Sequence, residues 1–109
     1  MIYEISIKER NIKATINLPS SKSISNRALI INALSYSPYP LLNLSDSDDT
    51  KVLSVALNSN SNKFDIGHAG TAMRFLTAFL AKIVGEWEVT GSERMQQRPI
   101  SILVDALNS

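Results

Sequence analysis

Three stretches of this sequence set cations beside backbone that a small anion can reach. In "SSKSISNR", Lys22, Ser23 and Arg27 crowd the opening of an apolar run. A helix beginning near Lys22 puts Ser23 and Arg27 four residues apart on one face. The free N–H groups of a helix start favour an anion. Lys22 brings a point charge, and Arg27 brings a planar fork suited to a carboxylate or phosphate. No glycines precede Lys22 as in a nucleotide P-loop. The plainer alternative is that the serines cap the helix and the cations are solvated.

The second stretch is "DIGHAGTAMR". Gly67 and Gly70 allow close approach of backbone to a ligand, and Thr71 is positioned to cap the helix that follows. Arg74 falls in the first turn, where a cation opposes the helix dipole, so a partner is expected for it. A single loop histidine, His68, reads as a structural hydrogen-bonding residue rather than an acid or base. In the third stretch, "SERMQQRP", Arg94 and Arg98 precede the helix that Pro99 begins, and two cations there suit a phosphate. The run Asp46–Asp49 lacks the glycine and distal glutamate of an EF-hand and reads as helix capping.

The elements that must position these residues follow from periodicity. Strands are predicted at Ile2–Lys8 and Lys13–Leu18, the second ended by Pro19. The first helix carries Ile24, Ala28, Ile31 and Leu34 on one face and stops before Pro38 and Pro40. Leu41–Leu44 reads as a short strand, and Thr50 to about Asn58 as the second helix, followed by a polar loop to Asn62. Phe64–Ile66 is a strand. The third helix places Ala72, Phe75, Leu76, Phe79, Leu80 and Ile83 at helical spacing and ends at Gly85. "EWEVTG" is a strand, "SERMQQR" a loop, and the last helix buries Ile100, Leu103, Val104 and Leu107. The alternation of strands and helices indicates an α/β (α+β) architecture.

Composition narrows the function classes. The 109 residues suffice for one small domain, and 44% are hydrophobic, as in a globular protein. Eleven Lys and Arg against ten Asp and Glu leave a net charge of +1, which gives no electrostatic ground for a nucleic-acid or membrane partner. The absence of cysteine excludes disulfides and thiolate metal sites, and one histidine makes a zinc site improbable. The charged N-terminus reads as neither signal peptide nor membrane span, and a cytoplasmic location is expected.

Taken together, "LPSSKSISNRALI", "DSDDT", "GHAGTAMRFL" and "GSERMQQRPISILVDAL" resemble, in order, the N-terminal region of the 5-enolpyruvylshikimate-3-phosphate (EPSP) synthase family. The resemblance implies transfer of the enolpyruvyl group of phosphoenolpyruvate to the 5-hydroxyl of shikimate 3-phosphate with release of phosphate, without metal or cofactor. It implies that Lys22, Ser23 and Arg27 hold shikimate 3-phosphate, that Lys22, Gly70 and Arg98 hold phosphoenolpyruvate, and that Arg74 supports them. Lys22 is the catalytic candidate. The resemblance also implies that Gly70 marks the position where the inhibitor glyphosate is accommodated. The family fold implied has two domains of βαβαββ-type units in pseudo-threefold arrangement. Residues 1–19 would join the other domain and 20–109 would form a portion of one. The second domain would then be absent and the chain alone inactive, while the full-length enzyme is expected as a monomer.

His68 stands where the family commonly has Asn, and Phe75 where it commonly has Pro. A rival resemblance is the enolpyruvyl transferase acting on UDP-N-acetylglucosamine. That enzyme generally carries a cysteine five residues before the arginine matching Arg98, where this chain has Glu93. A second rival is a non-catalytic anion-binding domain.

Overall fold

The computed structural model describes residues 1–109. Its regular secondary structure starts where the serines begin. Helix α1 spans Lys22–Leu34, and Ser21 caps it by accepting the Ile24 N–H. Helix α2 runs over Asp48–Leu57. It starts two residues earlier than the periodicity predicts, because Ser47 is the cap and Asp48 and Asp49 occupy the dipole-favoured first turn.

Strand β1 (Lys63–Asp65), helix α3 (Gly70–Leu80) and strand β2 (Glu88–Thr90) form a crossover in which β1 and β2 pair in parallel. Phe64 lies opposite Val89, and bonds from Ile66 N to Thr90 O and Ser92 N to Gly67 O carry the pairing on to the loops above. Mixed helices and a small parallel sheet fit the α/β expectation.

Helices α1, α2 and α3 pack on one another, and α5 (Ser101–Asn108) rests on α3. The core is small. Leu29, Leu53, Phe64, Ile66, Leu76, Leu80 and Met95 are its larger members. The apolar face expected of α3 is the one observed, with Ala72, Leu76 and Leu80 buried and Phe75 and Phe79 half-buried.

Other expectations are corrected. The segments Ile2–Lys8 and Lys13–Leu18 form no strand, and their isoleucines lie exposed, because a strand is stable only when its backbone groups find a partner. Leu41–Leu44 is also irregular, with Asn43 in the left-handed region at φ 58°. Helix α1 buries Ser25, Asn26 and Leu29, while Ile24 and Ile31 remain 71% and 66% exposed. Polar links to α2 have turned the helix away from its apolar stripe.

The third helix stops at Leu80 rather than Ile83. The presumed loop "SERMQQR" contains a single helical turn, α4 (Glu93–Gln96), capped by Ser92. Helix α5 begins two residues after Pro99 and buries no side chain fully. No helix is long and apolar enough to cross a membrane.

Candidate active site

The N-terminal turns of α1 and α3 and the segment before α5 open onto one cleft of about 700 Å³, lined by Ser21, Lys22, Ser23, Asn26, Arg27, Thr71, Arg74, Phe75 and Arg98. Four cations therefore surround a space with one apolar neighbour. A separate groove between α1 and α3, about 380 Å³, shares Arg27 and Phe75 with the cleft but is otherwise almost wholly aliphatic and aromatic, and offers no comparable chemistry.

Each cation is held by a different device. Lys22 Nζ lies 2.7 Å from Asp49 Oδ2. The other oxygen of that carboxylate accepts the N–H groups of Thr71 (3.1 Å) and Ala72 (3.2 Å). Asp49 thus caps α3 from the neighbouring helix. This corrects the expectation that Thr71 caps it, since Ala69 is the N-cap position and no side chain of α3 itself serves. Burial pushes the Asp49 carboxyl up. The hydrogen bond from Lys22, the Ala72 and Thr71 N–H groups and the Lys22 charge outweigh it and hold the pKa below the ordinary 3.8.

Arg27 reaches back along α1 to the Ser23 hydroxyl and carbonyl. Arg74 has the partner its dipole cost demands. It donates to Gly70 O at 3.0 Å and to Pro99 O at 2.8 Å, so it ties the glycine turn to the residue after Arg98. Arg98 in turn lies on Gly70. A Cβ added there would stand 2.7 Å from the Arg98 Cζ, so the guanidinium occupies the place a side chain would fill. The glycine matters here for close approach rather than for a special φ.

Lys22, Ser23, Arg27, Arg74 and Arg98 therefore share one cleft, with Gly70 beneath Arg98. Arg94 is not among the lining residues. It sits in α4, so the expected arginine pair at a single phosphate is not formed. His68 Nδ1 is 2.9 Å from Ser92 Oγ, which also accepts the Met95 N–H. It makes the structural hydrogen bond expected of it, joining the loop before α3 to the cap of α4.

Two residues of the site are missed by sequence reasoning. Asp49 reads locally as a first-turn carboxylate of its own helix. Its contacts to residues 22 and 23 positions further on carry no local signal. Asn26 reads as a polar residue on an amphipathic helix.

The geometry can hold compact, multiply charged anions through fixed guanidinium forks and an ammonium group. No group of three or more His, Cys, Asp or Glu stands together as a metal site.

Known proteins similar in sequence share one description. A family model described as EPSP synthase (3-phosphoshikimate 1-carboxyvinyltransferase) matches residues 7–60 and 53–109. A Bacteroides fragilis protein named 3-phosphoshikimate 1-carboxyvinyltransferase is 64% identical over 96 residues, covering 88% of this chain and 23% of its own length. Proteins of the same name from Tolumonas auensis (41% over 122 residues; 88% of this chain, 29% of theirs) and Shewanella loihica (40% over 124; 90% and 29%) are also similar. The chain thus spans between a fifth and a third of the length of these relatives. No solved structure matches.

Proposed function

Since the chain belongs to the EPSP synthase family, we propose that it forms one wall of an active site that transfers the enolpyruvyl group of phosphoenolpyruvate to the 5-hydroxyl of shikimate 3-phosphate, releasing phosphate. The observation that carries this reading is the convergence of Lys22, Arg27, Arg74 and Arg98 on one cleft. Both substrates pair a carboxylate with a phosphate, so the cleft must meet four anionic groups.

In this reading Ser23 and Arg27 take shikimate 3-phosphate. Arg98, held over Gly70, takes the phosphate of phosphoenolpyruvate. Lys22 stands between the two. The reaction adds the 5-hydroxyl oxygen to C2 of phosphoenolpyruvate while C3 is protonated. The tetrahedral adduct then loses phosphate and a methyl proton. Lys22 is suited to stabilise the charge on the adduct and to pass a proton, because Asp49 keeps its ammonium oriented. Arg74 touches the Gly70 and Pro99 carbonyls and acts through Arg98 as a positioning residue.

Residues 1–19 extend from the domain and would join a second domain that closes over the substrates, in a cytoplasmic enzyme working as a monomer. Held from one side only, the reacting groups are not oriented, so the 109-residue chain by itself is inactive.

Calorimetry and a turnover assay test this together. Binding of shikimate 3-phosphate by the chain, with turnover only once the remainder of a full-length relative completes it, is the expected result. Failure of the completed enzyme to turn over, with or without binding, rejects the reading. Turnover with UDP-N-acetylglucosamine as acceptor instead would support the rival transferase. Glu93, where that enzyme generally has cysteine, argues against that outcome.

A further inference from the structure

Helix α1 is fastened to the start of α2 by three polar links. Lys22 meets Asp49, Ser25 Oγ accepts the Ser45 N–H at 2.9 Å, and Asn26 Oδ1 accepts the Thr50 hydroxyl at 2.8 Å. The third is the most enclosed, since Asn26 and Thr50 are 0% and 1% exposed. Thr50 Oγ1 donates to Asn26 Oδ1. Ser47 Oγ accepts the Thr50 N–H and lies 2.9 Å from Thr50 Oγ1, where its own proton can complete the chain. The carbonyl branch of the amide is thereby turned to α2, and the NH₂ branch points away from it.

That NH₂ group has no partner. Asn26 Nδ2 is the only buried side-chain nitrogen or oxygen without a hydrogen bond. A buried donor left unpaired is destabilising, and native structures rarely keep one without cause. Asn26 also lines the cation cleft, one turn along α1 from Lys22 and next to Arg27. We propose that Asn26 is a further ligand-binding residue of this cleft, whose Nδ2, aimed by Thr50, donates to an anionic oxygen of shikimate 3-phosphate.

The inference rests on the function proposed above. It differs in naming a neutral donor at the cleft wall. Such a donor favours an oxygen at one position, whereas the surrounding cations attract any anion. It would therefore sharpen orientation more than long-range attraction.

The test uses NMR on the wild-type protein first. Shikimate 3-phosphate, and separately inorganic phosphate, is titrated while the Asn26 side-chain amide and the Arg98 Nε–H resonances are followed. The expected result is that both move with shikimate 3-phosphate and that the Asn26 amide protons shift downfield. If Arg98 responds and Asn26 does not, this inference fails while the proposed function stands. If neither responds to either anion, this inference fails, and the proposed function stands or falls on turnover of the completed enzyme.

Variants add a second arm. Asn26→Leu keeps the size, removes the donor and adds no charge. Thr50→Val frees the amide without altering the ligand-facing group. Each is expected to weaken shikimate 3-phosphate binding about ten- to a hundredfold, and Thr50→Ser is expected to restore it. Loss of melting temperature in these variants with unchanged affinity would show Asn26 to be a helix-packing residue only and overturn the proposal.

Discussion

At the scale of single residues, the site depends on side chains that take over positions other residues leave open. Arg98 uses the room over Gly70. Gly70→Ala keeps a favourable residue at a helix start and clashes only with the movable end of a long side chain. The expected outcome is a fold of unchanged melting temperature and a loss in phosphoenolpyruvate affinity of about tenfold, the order expected for one charge-assisted contact, measured by calorimetry on the completed enzyme. Asp49 is the second case. Its pKa is lowered in the folded chain, so its stabilisation is present above the unfolded value of 3.8 and is lost as pH falls through the lower folded value. Acid unfolding of the wild type should therefore show a limb below pH 3.8 that Asp49→Asn lacks. At neutral pH that variant should lose about 1–2 kcal/mol, the scale of a charge at a helix start with its hydrogen bonds.

At the scale of elements, most helices here cap themselves. Ser21, Ser47 and Ser92 serve α1, α2 and α4. Ser47→Ala should cost about 1 kcal/mol in chemical denaturation, as for a typical cap, with some loosening of Thr50. Helix α3 borrows its cap from Asp49. This makes α2 and α3 a unit and explains why the cations of α1 and the turn at Gly70 keep a common register. The serine start of α1 and the α3 stripe were legible because they are local, within a turn or two of chain, whereas α2 begins before the expected Thr50 and α4 lies in a stretch that reads as a loop. The burial of α1 was not legible. Its sequence shows an apolar stripe at Ile24, Ala28 and Ile31, yet the observed packing face is Ser25, Asn26 and Leu29. Hydrogen-bonding partners on α2 decided that, and periodicity does not see them.

At the scale of the molecule, the radius of gyration is 18.4 Å, against about 13 Å for a compact chain of this length. Only 15 of 109 residues are buried, and the N-terminal segment contributes none of them. Protease should therefore cut first after Arg10 or Lys13, and removing residues 1–19 should leave the melting temperature of the remainder unchanged, as seen by calorimetry. The charge distribution makes a separate prediction. The molecule is near neutral, but its cleft gathers four cations, of which only Lys22 is paired with a carboxylate. Binding of shikimate 3-phosphate should weaken markedly as ionic strength rises from 0.01 to 0.15 M, where the Debye length falls from about 30 to about 8 Å. A salt-independent affinity would mean that the cations do not set the binding.

What the amino-acid order determined alone were the α/β alternation, the start of the first helix near Lys22, and three cation-bearing stretches fit for anions, ending at Arg27, Arg74 and Arg98. Those follow from side-chain chemistry and from spacing within a few residues, whereas the grouping of the three into one site was implied only by the family resemblance. Only the tertiary structure decided that Asp49 joins Lys22 to α3, that Arg98 rests on Gly70, that Arg94 stands apart, and that the N-terminal strands stay unpaired. Each of these depends on groups brought together from distant parts of the chain, or on a partner strand the chain does not provide, and no local pattern encodes such a contact.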